Sequence, residues 1–154
     1  MRDRWLPVGG LAAVLFAVNV VARLVVRFGF DGSVKHQDRV SLGMFIVIGV
    51  ILATLAFIWG RRYPAARWGS DVAAAVLVAM ALTVFVGPFL SGSHPFVGGA
   101  GDFFMQVWLY AGFSGGGTLV GFLLLTALGL DHRSQALKRY AETVQSKPRK
   151  VVRR

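Results

Sequence analysis

The chain has no cysteine. Disulfide frameworks, thiolate metal centres and cysteine nucleophiles are thereby excluded. It is also short of charge: 16% of its 154 residues are Asp, Glu, Lys or Arg, against about a quarter in a soluble domain. So little polar surface implies that lipid forms part of the solvent. Acid is scarcer still. The seven carboxylates are Asp3, Asp31, Asp38, Asp71, Asp102, Asp131 and Glu142, and none falls in the interior of a long apolar run. Carriers coupled to protons or sodium ordinarily hold a carboxylate at membrane depth, so that class is disfavoured. The three histidines, His36, His94 and His132, also lie outside the runs. They are too few and too scattered for a zinc site or a bis-histidine haem. No metal and no cofactor is expected.

Long apolar runs are what the chain does have. About 20 apolar residues cross a bilayer core of about 30 Å. Four stretches meet that requirement, at about 5–28, 40–59, 70–90 and 103–130. Each is far longer than a membrane strand of about 9–11 residues, and none alternates. The expected fold class is all-α: a bundle of four transmembrane helices over 1–130. Residues 131–154 follow as a short cytoplasmic amphipathic helix and polybasic tail.

Basic residues orient the bundle. Arg2, Arg4, Arg61, Arg62 and Arg67 would share one side with the carboxyl-terminal Arg133, Lys138, Arg139, Lys147, Arg149, Lys150, Arg153 and Arg154. That is thirteen, against four on the other side: Arg23, Arg27, Lys35 and Arg39. Both termini are therefore expected in the cytoplasm. Trp5, Trp59, Tyr63 and Trp68 fall at the same inner boundary, where amphipathic rings anchor. Arginine outnumbers lysine 13 to 4, a bias compatible with a GC-rich bacterial genome and so with a bacterial plasma membrane. Arg2, Arg4, the first run and Val20-Val21-Ala22 also fit a cleavable secretory signal. The run is long for one, and cleavage would leave the new end on the side the charges disfavour.

Helices in lipid associate through small residues and a few polar groups. Gly9, Ala13 and Ala17 recur at four-residue spacing, as do Gly49 and Ala53, and Ala75, Ala79, Thr83 and Gly87. The fourth run has Gly112 with Gly116, and Gly117 with Gly121. Its 28 uncharged residues would extend about 42 Å as a helix, so tilt, a kink or a break is expected. Gly115, Gly116 and Gly117 near its middle are the candidate break.

Buried polar groups in a membrane are candidates for function. Asn19, Arg23 and Arg27 share one face of the first helix. Asp102, Gln106, Tyr110 and Ser114 share one of the fourth. If those helices are neighbours, Asn19, Arg23, Gln106, Tyr110 and Asp102 converge, with His94 in the outer connection beside them. Ser70-Asp71 and Asp102 stand where they would cap the third and fourth helices.

Gly112-Phe113-Ser114-Gly115-Gly116 fits the G-x-S-x-G nucleophile pattern, and its first four residues resemble the G-x-S-G of rhomboid intramembrane proteases. That resemblance implies a histidine base on a later helix. Here His132 lies about 27 Å further along a helix and His94 precedes the serine in a loop. A serine nucleophile needs a base within reach, so no catalytic residue is assigned.

Lys147, Arg149, Lys150, Arg153 and Arg154 suit anionic lipid, at roughly 1 kcal/mol per charge. Without aromatic interleaving, no specific nucleic-acid binding is expected. The expected function is that of a non-catalytic accessory or scaffold subunit, associating through its helices with another membrane protein or with copies of itself. The alternative is a small oligomeric permease or channel built on a glycine-broken fourth helix.

Overall fold

The computed structural model describes residues 2–29, 34–90, 92, 94, 96 and 98–146. Among them every regular element is helical. Helix α1 spans Arg2–Gly29 and α2 Val34–Arg62. Next come α3 (Ala65–Ala81), a π-helical turn over Leu82–Val86 and the short α4 (Gly87–Leu90), which together form the third long rod. Helix α5 covers Gly99–Ala127 and α6 His132–Ser146. Four of these rods are long and apolar enough to cross a membrane.

Several helix ends differ from expectation. The third rod starts at Ala65, directly after Pro64. Proline's fixed φ suits a helix entrance, and the Ala65-Ala66 pair then propagates the helix through Arg67 and Trp68. Ser70 and Asp71 therefore lie inside the helix and not at its cap. The Ser70 hydroxyl instead donates back to the Arg67 carbonyl at 2.9 Å. Asp102 sits in the first turn of α5, three residues past the start. At the other end of α5, Gly129 adopts φ 61°, open to glycine without a Cβ clash. Its N–H donates to Thr126, and that of Leu130 to Leu125, which closes the helix as a Schellman motif. Asp131 then caps α6, its carboxylate accepting the N–H groups of Arg133 and Ser134 at 3.2 and 3.1 Å. The bond with the Ser134 side chain, aided by these amides, holds the Asp131 carboxyl below the ordinary carboxylate range. The tail residues Lys147, Arg149, Lys150, Arg153 and Arg154 lie outside the described residues.

Alternating direction makes two parallel pairs. Helix α1 packs along the third rod, and α2 along α5. Helix α2 also touches α1 and α3, so it runs through the centre. Its face of Met44, Ile48, Leu52 and Ala56, at helical four-residue spacing, is buried with Leu11 and Leu15 of α1 and Val72, Ala75 and Ala79 of α3. Trp68 is part of this interior: it is 4% exposed and its ring lies 5.9 Å from that of Phe122.

The α2–α5 seam is the tightest in the fold. A Cβ placed on Gly117 would land on the Gly49 carbonyl, and one on Gly121 on the Ala53 carbonyl. Lower down, the Leu125 side chain lies against Gly60. Small residues thus let two backbones touch, as packing in lipid requires. Helix α5 passes through Gly115, Gly116 and Gly117 as one continuous α-helix. The candidate break is not there: each amide keeps its place in the ladder, and Gly117 is held against α2. The interruption falls in the third rod, where Pro88 brings no N–H and its ring crowds the preceding turn. One extra residue per turn accommodates it, and the Gly87 N–H reaches the Leu82 carbonyl five residues back.

Candidate functional site

The end of the bundle where α1 and the third rod finish is called distal below. There, polar side chains form a ladder from the rim toward mid-height. Arg27 is outermost, its guanidinium donating to the Leu90 carbonyl at 3.0 Å. It caps the carboxyl end of the neighbouring rod, where a positive charge is favoured. One turn inward, Arg23 Nε donates to Asn19 Oδ1 at 3.1 Å. Asn19 is 1% exposed, and its amide also points at Met44 Sδ, 3.1 Å away.

Gly87 makes this arrangement possible. A Cβ there would stand 2.9 Å from Arg23 Nε and 3.0 Å from Asn19 Oδ1. The missing side chain is the space that the Arg23–Asn19 pair occupies. One turn before Gly87 lies Thr83, fully buried within the π-helical turn. Thr83 neighbours the hydroxyl of Tyr110 on α5, and Tyr110 itself is fully buried, with its ring edge-on to Phe45 at 6.3 Å. Ser114, one helical turn further along α5, is 2% exposed.

The Thr83 and Tyr110 hydroxyls lie within hydrogen-bonding reach of each other across the two rods, whereas the buried Ser114 hydroxyl has no partner among the described residues. The chain's other four threonines provide a comparison. Thr54, Thr118, Thr126 and Thr143 each donate to the carbonyl four residues back at 2.7–2.8 Å. Thr83 alone does not, because the π-helical turn displaces the local ladder: the Leu82 N–H is shared between the Val78 and Ala79 carbonyls.

Of the six residues expected to converge, three take part. Asn19 and Arg23 hold each other, and Tyr110 lies close by, joined to them through Thr83 and Gly87 of the third rod. The premise that α1 and α5 are neighbours is corrected, since they share no extended contact. The π-helical turn stands between them and touches both. Gln106 is half-buried one turn distal of Tyr110. Asp102 is exposed, its carboxylate folded onto Gly98. His94 is exposed and packs edge-on to Phe89 at 6.0 Å. These last two form no constellation with the ladder. Thr83, Gly87 and Met44 were missing from the expected set. The available signal was Thr83 preceding a Gly87-Pro88 dipeptide inside an apolar run. Among the described residues, no group of His, Asp and Glu could hold a metal ion.

A second feature is apolar. Beside the α2–α5 seam runs an open groove of about 440 Å³, floored by Gly49, Gly112 and Gly116 and walled by Ile46, Trp108 and Val120. A Cβ added at Gly112 or Gly116 would meet nothing within 4 Å. Helix α5 thus carries two glycine pairs on different sides. Gly117 and Gly121 are used against α2, whereas Gly112 and Gly116 are unused. Gly9, Ala13 and Ala17 similarly line an open groove between α1 and the third rod.

Comparison with protein-family models, with curated proteins and with solved structures finds no match.

Proposed function

We propose that this protein is a non-catalytic membrane subunit that docks a transmembrane helix of another membrane protein in the groove between α2 and α5. The glycine floor beside Trp108 carries this reading. From Trp108 to Val120 the groove runs about 18 Å along α5, three helical turns of facing surface. Bare glycine backbone lets a helix approach closely and gain dispersion and Cα–H···O contacts that lipid chains supply poorly. Trp108 is 75% exposed about nine residues into the helix, although tryptophan in contact with lipid favours the boundary. A helix partner would cover it, and buried tryptophans are frequent energetic anchors of interfaces. Helix α5 is also the least covered rod: 17% of its most apolar window is buried, against 39% for the third.

In this proposal both termini face the cytoplasm of a bacterium and the groove lies within the plasma membrane. Helix α6 and the basic tail rest on anionic lipid. The absence of native cysteine makes the test clean. A photoreactive maleimide is attached to Gly116→Cys in native membranes, with Leu77→Cys on the third rod as the control. One discrete adduct with a membrane protein, lost when Gly112→Leu fills the groove, is the expected result. An adduct of two copies of the chain would assign the groove to self-association. Lipid adducts alone would remove the docking proposal.

A small permease is the second reading, supported by the buried hydroxyls around Thr83. It no longer has a broken fourth helix to work through, and would have to use the π-helical turn of the third rod.

A further inference from the structure

We infer that the groove between α1 and the third rod holds an acyl chain of an anionic phospholipid, whose phosphate binds Arg27 at the distal rim. This site uses different elements from the α2–α5 groove and does not depend on the docking proposal.

The groove offers about 470 Å³ and is lined by apolar residues throughout. Gly9, Ala13 and Ala17 of α1 leave its floor low, and Val78 and Leu82 of the third rod face them. A Cβ at Gly9 would meet nothing within 4 Å, and Val21 near the distal mouth is 58% exposed. A lipid chain can therefore enter sideways from the bilayer.

Arg27 stands on the same side of α1. Residues turn by about 100° each, so Gly9, Val20 and Arg27 lie within about 20° of one another around the helix. Arg27 is exposed, and its guanidinium reaches across to the Leu90 carbonyl of the third rod at 3.0 Å. The two walls of the groove are thus bridged by a cation beyond its distal end. That bond uses one of the five N–H groups of a guanidinium, and the rest suit phosphate, which arginine binds through paired donors.

These features specify the occupant: apolar along its length and anionic at the distal end. Dimensions agree. Half a bilayer with its headgroup region is about 20–22 Å, or about fourteen residues of helix rise. Measured from Arg27 this ends near Ala13, so a chain anchored at the rim follows the groove from Val21 to Ala13. A second copy related by a two-fold axis along the bundle would instead set Arg27 against Arg27. Charge also selects the headgroup. Among the described side chains at this end, the carboxylate is that of Asp102, which lies on α5 and folds onto Gly98. A zwitterionic lipid would bring its ammonium toward Arg23 and Arg27, whereas a net negative headgroup meets only favourable charge. Basic pockets between membrane helices bind anionic headgroups in this way.

The test uses the full chain in detergent, offered phosphatidylglycerol or phosphatidylcholine of matched chains and read by native mass spectrometry. Phosphatidylglycerol should be retained in preference. Arg27→Gln should lower its occupancy about fivefold, the worth of one cation at a membrane surface, and Ala17→Phe should lower it by filling the groove. Lipid drawn to the basic tail would be untouched by either substitution. Equal retention of the two lipids, or occupancy unchanged in Arg27→Gln, would overturn the proposal. A dimer that Ala17→Phe dissociates, with no lipid retained, would give the groove to a second copy and overturn it as well. A second measurement needs no variant. In nanodiscs, each lipid carries a photoreactive group at the end of its chain. Adducts at residues 12–17 and 78–82 should be several-fold more abundant with the phosphatidylglycerol probe, and equal labelling there by both probes would refute the site.

Discussion

Replacing one glycine of α5 by alanine should have opposite effects at two nearby sites, and the difference measures how the helices are held. At Gly115, a Cβ meets nothing within 4 Å. Alanine there should stabilise by up to about 1 kcal/mol through helix propensity alone. At Gly117 the same methyl would land on the Gly49 carbonyl, 2.7 Å from its carbon and from the Gly49 Cα. Carbon atoms prefer about 3.5–4.0 Å, so α5 must retreat by roughly 1 Å. The obstacle is backbone and cannot rotate away. A gap of that size forfeits a quarter to a half of each contact on the seam. Leu125, fully buried against Gly60, makes roughly 50 atomic contacts of about 0.15 kcal/mol, and a quarter of that sum is about 2 kcal/mol. Gly117→Ala should therefore destabilise by about 2 kcal/mol or more, in the range of overpacked cores. Equilibrium unfolding of both variants in mixed micelles measures the difference, about 3 kcal/mol between neighbours two residues apart. If both variants shift stability the same way, the α2–α5 seam is not a backbone contact and the account of it is wrong.

Two other perturbations follow from the distal ladder and from the α6 cap. Gly87→Ala should destabilise by about 1–3 kcal/mol despite alanine's better propensity, because the methyl displaces Arg23 and leaves the buried Asn19 oxygen unpaired; an unchanged unfolding midpoint would show that the pair relaxes freely. At Asp131 the folded pKa is depressed by the Ser134 side chain and the amides of Ser134 and Arg133. The stabilisation of the first turn of α6 is thus present above the ordinary carboxylate pKa and lost as pH falls through the lower folded value. Amide exchange at Arg133 and Ser134 should accelerate over that acidic interval, and Asp131→Asn should abolish the pH dependence.

The four rods could be read from sequence because the bilayer admits few solutions. A run of 20 or more apolar residues must satisfy its own backbone, and a helix does so within one segment. The same logic yields their alternating directions. Individual polar residues were legible too: Asn19, Arg23 and Tyr110 stood out as polar groups in apolar runs. Helix starts were less so. Ser70-Asp71 has the composition of a cap, yet Pro64 and two alanines start the helix earlier.

What the sequence could not decide is which side of each helix meets which neighbour. Successive residues turn by about 100°, so Gly115, Gly116 and Gly117 look alike in sequence but face different surroundings. Only the approach of Gly49 and Ala53 selects Gly117 and Gly121 for the seam and leaves Gly112 and Gly116 open. The same holds for Thr83. Its hydroxyl is turned from its own backbone by a π-helical turn that Pro88 favours, and toward Tyr110 by the packing of the third rod on α5. Pairing of helices in lipid depends on many small dispersion contacts with no bulk hydrophobic force between apolar surfaces. Apolar patterning along the chain therefore determines that four helices are long and apolar enough to span, while tertiary contact alone determines which groups end up buried together.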